Sequence, residues 1–252
     1  MIHYHGTPIK PAEAAVKSLD GRHALIPFND PRQIEIAAEV AQSFILDNAA
    51  YVQWKRGITV DWSRYYQWAE KWLKHPGCDW ALIPDVIEGS TEDNDQLLSE
   101  WPFGSALGVP VWHFHEPLDR LRRLAATWPR VALGSSGRWA QPGRPGWWNR
   151  MAEAMDAICT DGQPQCKLHG LRMLSVSIFP KLPLTSADST TVARKNFRDS
   201  EWRGRHQPHS AEIRALILAE RIEAFQGAQR WEGLPQQLAL ELNADFQLEA
   251  TT

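Results

Sequence analysis

"HALIPFNDPRQIEIAAEVAQSFILDNAAY", residues 23–51, contains one full cycle of a pattern that organises the whole chain. An apolar run too short for a helix, "HALIPF" (23–28), is followed by a segment with helical spacing over 30–41. Asp30 is the expected N-cap of that helix and Pro31 its first helical residue. A second short apolar run, "FILD" (44–47), then ends on Asp47. Apolar strands joined by amphipathic helices predict parallel βαβ units, because a parallel pair needs a crossover and is buried on both faces.

The cycle repeats in both directions. Strands are expected at "IHYH" (2–5), "HALIPF" (23–28), "FILD" (44–47) and "WALIPD" (80–85). Four more are expected at "VPVWHFH" (109–115), "VALG" (131–134), "KLHG" (167–170) and "LTSAD" (184–188). Helical segments lie between them: "PAEAAVKSL", "DWSRYYQWAEKWLK", "STEDNDQLLSEW", "EPLDRLRRLAATW", "PGWWNRMAEAMDAIC" and finally "SAEIRALILAERIEAF". The stretch after "KLHG" has room for only one turn. Eight strand–helix cycles predict an α/β protein, a single-domain (β/α)8 TIM barrel over residues 1–228 with a C-terminal tail at 229–252. A doubly wound open sheet is the alternative, since strand number alone does not close a ring.

Composition sets the outer limits. The chain has 252 residues, 43% hydrophobic and 23% charged, with a net charge of −3. That balance supports a sizeable core and argues against a uniformly basic nucleic-acid binder, while leaving room for local basic patches. Cys78, Cys159 and Cys166 are scattered without a C-x-x-C pair, so no disulfide framework or cysteine zinc site is expected. No leader pattern opens the sequence, and no run reaches the roughly 18 apolar residues of a membrane span. The expected setting is a soluble protein of the cytoplasm, with no membrane partner.

In a barrel of this kind, chemistry gathers at the C-terminal ends of the strands. Those ends carry His5, Asn29, Asp47, Asp85, His115 with Glu116, Gly134 with Ser135, His169 and Asp188. A lone aspartate after a strand is often only a turn former or helix cap. Three of them, Asp47, Asp85 and Asp188, converging on one mouth point to a site.

The segments around these aspartates resemble the tRNA-guanine transglycosylase superfamily. "SADSTTVAR" (186–194) is similar to the nucleophile segment of that family, and "LDNAAY" (46–51) to its general acid/base segment. "IPDVIEG" (83–89) is similar to the segment that reads the guanine edge, and "ALGSSG" (132–137) to a base-contacting loop. Two departures stand out. The family's cysteine-rich zinc site is absent, and Ala49 and Ala50 stand where the family has paired glycines. A compact, zinc-free chain is most similar to the DNA-directed branch, the 7-deazaguanine DNA transglycosylases of phages and genomic islands.

The resemblance implies base exchange without a cofactor: guanine in DNA, or in tRNA as the close alternative, is replaced by a 7-deazaguanine such as preQ0. Asp188 is then the nucleophile at C1′ and Asp47 the proton shuttle. Two displacements retain the configuration, as in retaining glycosidases. Asp85 would accept hydrogen bonds from the guanine N1–H and amino group, with Gly134, Ser135, His115 and His169 completing the base pocket. Phosphate contacts are expected from Arg194, Lys195, Arg198, Arg203 and Arg205, with Arg138 on a second loop; both segments carry tryptophans as possible stacking platforms.

Two rival readings remain. "HFHE" puts His113 and His115 two residues apart on one strand, which with Asp47, Asp85 or His169 could hold a metal for hydrolysis. A non-catalytic nucleic-acid-binding barrel is the other.

Overall fold

The computed structural model of the chain describes residues 1–58, 60–195, 202 and 205–234. Arg198, Arg203 and residues 235–252 of the expected tail lie outside them. The elements run β1 (Ile2–Gly6), α1 (Ala12–Leu19), β2 (His23–Pro27), α2 (Ile34–Val40) and β3 (Ser43–Asp47). Two helices, α3 (Ala50–Lys55) and α4 (Trp62–Leu73), precede β4 (Cys78–Leu82), which is followed by α5 (Thr91–Ser99). Next come β5 (Gly108–Val109), β6 (Val111–His113), α6 (Leu118–Thr127), β7 (Arg130–Gly134) and α7 (Pro145–Ile158). A small hairpin, β8 (Cys159–Thr160) with β9 (Gln163–Pro164), leads to β10 (Lys167–Gly170), β11 (Ser186–Ser189), α8 (Thr191–Lys195) and α9 (Ala211–Glu223).

The main sheet is parallel throughout and ordered β5-β4-β3-β2-β1-β11-β10-β7-β6. Its two edges belong to one stretch of chain. Residues 108–113 are a single strand interrupted at Pro110, which has no N–H to give to a ladder. The first half pairs with β4 and the second with β7, and Ala132 N–H reaches the Pro110 carbonyl at 2.9 Å. Counted once, this strand makes eight, and the ring closes in sequence order. The fold is a TIM-barrel-like single sheet wrapped by helices; the open sheet is excluded by this pairing.

Period-two alternation sorts the strand residues into two layers. Tyr4, Leu25, Ile45, Trp80, Leu82, Val109, Val111 and Ala132 form the interior cluster. Their strand neighbours, such as Ala24, Ile26, Phe44, Leu46 and Ala187, pack outward beneath the helices. Local signals set several helix starts. Asp61 accepts from the Ser63 N–H at the start of α4, and Ser90 with Asp93 forms a capping box at α5. Asp30 does not cap α2 as expected. Its carboxylate is drawn to Arg32, and the N-cap position falls to Gln33, whose side chain exchanges two hydrogen bonds with the Ile9 backbone.

Residues 229–234 pack back onto the barrel. Trp231 is buried, its indole N–H bonds Asp156 at 2.6 Å, and its backbone N–H bonds the Gly162 carbonyl. Among the described residues no helix is long and apolar enough to cross a membrane.

Candidate active site

The strand alternation that buries Ile45 inside the ring also turns Asp47 inward. The same parity turns Ser186 and Asp188 of β11, His169 of β10 and His113 of β6 toward the axis. At the C-terminal mouth lies a cavity of about 620 Å³ whose walls include Asp47, Asp85, His113 and Asp188. Gly134 and Ser135 line it as well. The three aspartates thus share one cavity, but each sits in a different environment.

Asp188 is nearly buried and is approached by two N–H donors. His169 Nε2 lies 3.0 Å from Oδ2, and the Arg172 backbone N–H donates to Oδ1 at 3.2 Å. Burial pushes the His169 pKa below its usual value, against the pull of Asp188, so the ring is neutral. A neutral His169 that donates from Nε2 must accept at Nδ1, where the Ser186 hydroxyl sits at 2.9 Å. His169 therefore stands behind the carboxylate as its support and is not among the residues lining the cavity, which corrects its expected place against the base.

Asp85 is clamped from both sides. Asn48 Nδ2 donates to Oδ1 at 2.7 Å, and His113 Nε2 lies 2.8 Å from Oδ2. Asn48 also donates to the Ile83 carbonyl and accepts from the Ala50 N–H, tying the end of β3 to the end of β4. Gly134 is required beside this clamp, because a Cβ there would lie 2.9 Å from His113 Nδ1.

Among the described residues Asp47 meets no side-chain donor and accepts one bond, from the Ala49 N–H at 2.9 Å. Ala49 holds a left-handed backbone with φ 60°, the conformation that glycine adopts without strain. Part of the Asp47 surface reaches solvent, yet the surrounding walls exclude enough water to dominate its ionisation. Burial pushes its pKa up to about 7; the Ala49 bond opposes this, and the Asp188 and Asp85 charges reinforce it.

The other expected contacts divide. Arg194, exposed on α8, lines the cavity. Lys195 follows it on α8 and is half-buried, and Arg205 is exposed beyond it; neither is a cavity-lining residue. Arg138 lies over Trp139 at 4.2 Å, outside the cavity lining. His115 is also displaced from the expected pocket: its strand stops at His113, and its ring bonds Ser136 Oγ and the Gly89 carbonyl. His5 points outward to Glu223 of α9. Three of the expected tryptophan platforms, Trp147, Trp148 and Trp202, are core residues at most 3% exposed, whereas Trp139 is half-buried beneath Arg138. Large apolar rings on a helix facing a sheet gain more from burial than from waiting at the surface.

Several residues that sequence reasoning missed stand at the cavity. Arg172, with φ 59°, follows β10; its guanidinium donates to the Ser135 carbonyl and lies 4.4 Å over the Tyr51 ring. Nothing in "GLRML" signals that conformation. Tyr51, Lys55 and Arg56 reach the cavity from α3, and Asn48 holds Asp85. His113, a candidate metal ligand by sequence, is turned inward by the register of β6 and bonds Asp85 instead.

Behind the mouth, a buried charge network fixes His113. Glu116 accepts from the His113 N–H, from Asn94 Nδ2 and from Arg120, which also pairs with Asp95. Arg120 is 2% exposed although its helix neighbours Arg122 and Arg123 face solvent. Glu116→Ala would leave the buried guanidinium with Asp95 as its remaining carboxylate and strand two N–H donors, so unfolding in urea is expected to show a loss of about 2–4 kcal/mol. A change below about 1 kcal/mol would mean that water replaces the carboxylate freely.

These features define a class: a (β/α)8 barrel with a carboxylate-lined cavity at the C-terminal mouth. No family model matches the chain, and no curated protein matches it.

Proposed function

We propose that this protein is a base-exchange transglycosylase that replaces guanine in nucleic acid, DNA in the first instance and tRNA as the alternative, with a 7-deazaguanine. The observation that carries this reading is the three-way difference among Asp47, Asp85 and Asp188 within one cavity. Base exchange needs a nucleophile, a proton shuttle and a base reader, and the three environments suit those roles separately.

Asp188 attacks C1′ as the C1′–N9 bond breaks, and the bonding pair leaves with guanine, which takes a proton from Asp47. The sugar is then held as an ester. The incoming 7-deazaguanine loses its N9 proton to Asp47 as N9 attacks C1′, which releases the Asp188 carboxylate. A group with a pKa of about 7 can donate and accept that proton at neutral pH.

Asp85 retains acceptor capacity beyond the bonds to Asn48 and His113, since each carboxylate oxygen takes two donors. A guanine edge offers N1–H and an amino group as a pair, and adenine does not. Asp85→Asn replaces one acceptor by a donor, so exchange is expected to fall by roughly 10²-fold or more while polymer affinity stays within about twofold. Equal loss of both would give Asp85 a structural role only.

His113 and His115 do not serve a common metal. Their rings stack at 5.7 Å, His113 bonds Asp85, and His115 bonds Ser136 and Gly89. Among the described residues no group of three His, Cys, Asp or Glu is placed to hold an ion. This geometry favours base exchange over metal-dependent hydrolysis. The test is direct: incubate the protein with labelled guanine or preQ0 and either guanine-containing DNA or tRNA, digest to nucleosides, and identify the labelled one. Label in neither polymer would overturn the proposal.

A further inference from the structure

We propose that helix α3 carries a nucleobase-stacking platform outside the cavity, where the base next to the target nucleotide of a single-stranded polynucleotide lies flat on Trp54, with its phosphate beside Lys55 and Arg56. The inference deepens the reading of the same site as one that acts on a polynucleotide. It assigns a contact to a helix that no basic or aromatic motif had pointed to.

Three planar groups lead out of the cavity in series. The Arg172 guanidinium covers Tyr51 at 4.4 Å, and the Tyr51 ring meets Trp54 at 5.8 Å with 36° between their planes. Tyr51 lines the cavity, whereas Trp54 is 43% exposed. Most other tryptophans of the chain are buried or packed against the core, including those once expected to stack on bases. Among the described residues Trp54 meets one other ring, that of Tyr51, and is not part of the hydrophobic core.

Its neighbours supply the charge. Lys55 and Arg56 are exposed, border the cavity, and have no carboxylate partner among the described residues. Two cations and an open aromatic face within three consecutive residues match a base with its phosphate, since every base has a π-face and each phosphate one charge. The platform adjoins the cavity that holds the three aspartates. A nucleotide whose base enters that cavity thus leaves its chain neighbour level with Trp54. A base paired within a duplex has its faces covered by its own neighbours, so the platform selects a strand that is open beside the target.

The test uses the full chain and a short fluorescein-labelled single-stranded oligodeoxynucleotide with one guanine among thymines, read by fluorescence anisotropy across a salt series. Trp54→Ala is expected to weaken binding roughly 5- to 150-fold, the range for loss of one base–aromatic stack, with an unchanged salt slope. Trp54→Phe should recover most of that loss. Lys55→Ala and Arg56→Ala should instead lower the slope by about 0.7 each. An abasic residue beside the guanine, placed 5′ in one probe and 3′ in another, should weaken wild-type binding on one side and leave Trp54→Ala indifferent to it. Binding by Trp54→Ala within about twofold of wild type overturns the platform. So does an abasic penalty that Trp54→Ala shares in full, or a wild-type protein that binds no single strand. No chemistry enters this measurement: coupling between Trp54 and the neighbouring base without exchange would sink the catalytic proposal alone, and exchange with unimpaired Trp54→Ala binding would sink the platform alone.

Discussion

Asp188→Asn is expected to abolish both base exchange and the covalent adduct that wild-type protein forms with a guanine-containing polymer when no incoming base is supplied. The loss should be at least roughly 10⁴-fold, the scale seen when a covalent nucleophile is removed. Folding should survive, because the neighbours can adapt to an amide. The Arg172 N–H still finds the amide oxygen at the Oδ1 position. His169 can move its proton to Nδ1, donate to Ser186 Oγ, and accept the new N–H at Nε2. Thermal melting within a few degrees of wild type, polymer binding intact and no adduct on a denaturing gel form the expected set. Full exchange by Asp188→Asn would end the covalent mechanism and leave Asp188 a buried structural residue.

Asp47→Asn should also suppress exchange, by about 10²- to 10⁴-fold, but through the proton rather than the sugar. Its defect should shrink with better leaving groups, which need less help from an acid. In wild type, kcat/KM for the polymer should decline as pH rises through about 7, because the first displacement requires the protonated carboxyl. Stability gives an independent reading of the same group. The folded pKa lies above the ordinary value of 3.8, so the native state holds a proton that the unfolded chain releases. The contribution of Asp47 to stability is therefore complete below about pH 4 and is lost as pH climbs through 7. Asp47→Asn, which carries no charge at any pH, should melt higher than wild type at pH 8 and alike at pH 4. Equal melting temperatures at both pH values would show that burial does not perturb Asp47.

The inactive variants separate because the three carboxylates are held differently. Among the described residues, Asp188 faces two donors, Asp85 is gripped by side chains from two strand ends, and Asp47 has a single backbone N–H. A site that had merely misfolded would lose all three functions together.

All eight barrel strands were legible in the sequence, as was their alternation with the longer helices; α3, α8, the β8–β9 hairpin and the inward facing of Asp47, His169 and Asp188 were not. Each legible feature rests on local physics: a period of two along a strand, a helical stripe between strands, caps such as Ser90 and Asp61. These act over a few residues, so one sequence carries them. The closing of the ring was decided elsewhere, in the pairing of the two halves of 108–113 with strands on either side, which no local preference encodes. The partners of Asp85 come from 37 and 28 residues away, and the left-handed turn at Arg172 is held by contacts to Ser135 and Asp188. Charge and ring content misled for the same reason: a run of Arg and Trp states composition, while only packing decides which ring is covered. Trp147, Trp148 and Trp202 went into the core, and Trp54, in a stretch with no marked pattern, was left open at the mouth. Residue type sets what a side chain can do; its burial and its partners, set by contacts distant in the chain, determine what it does here.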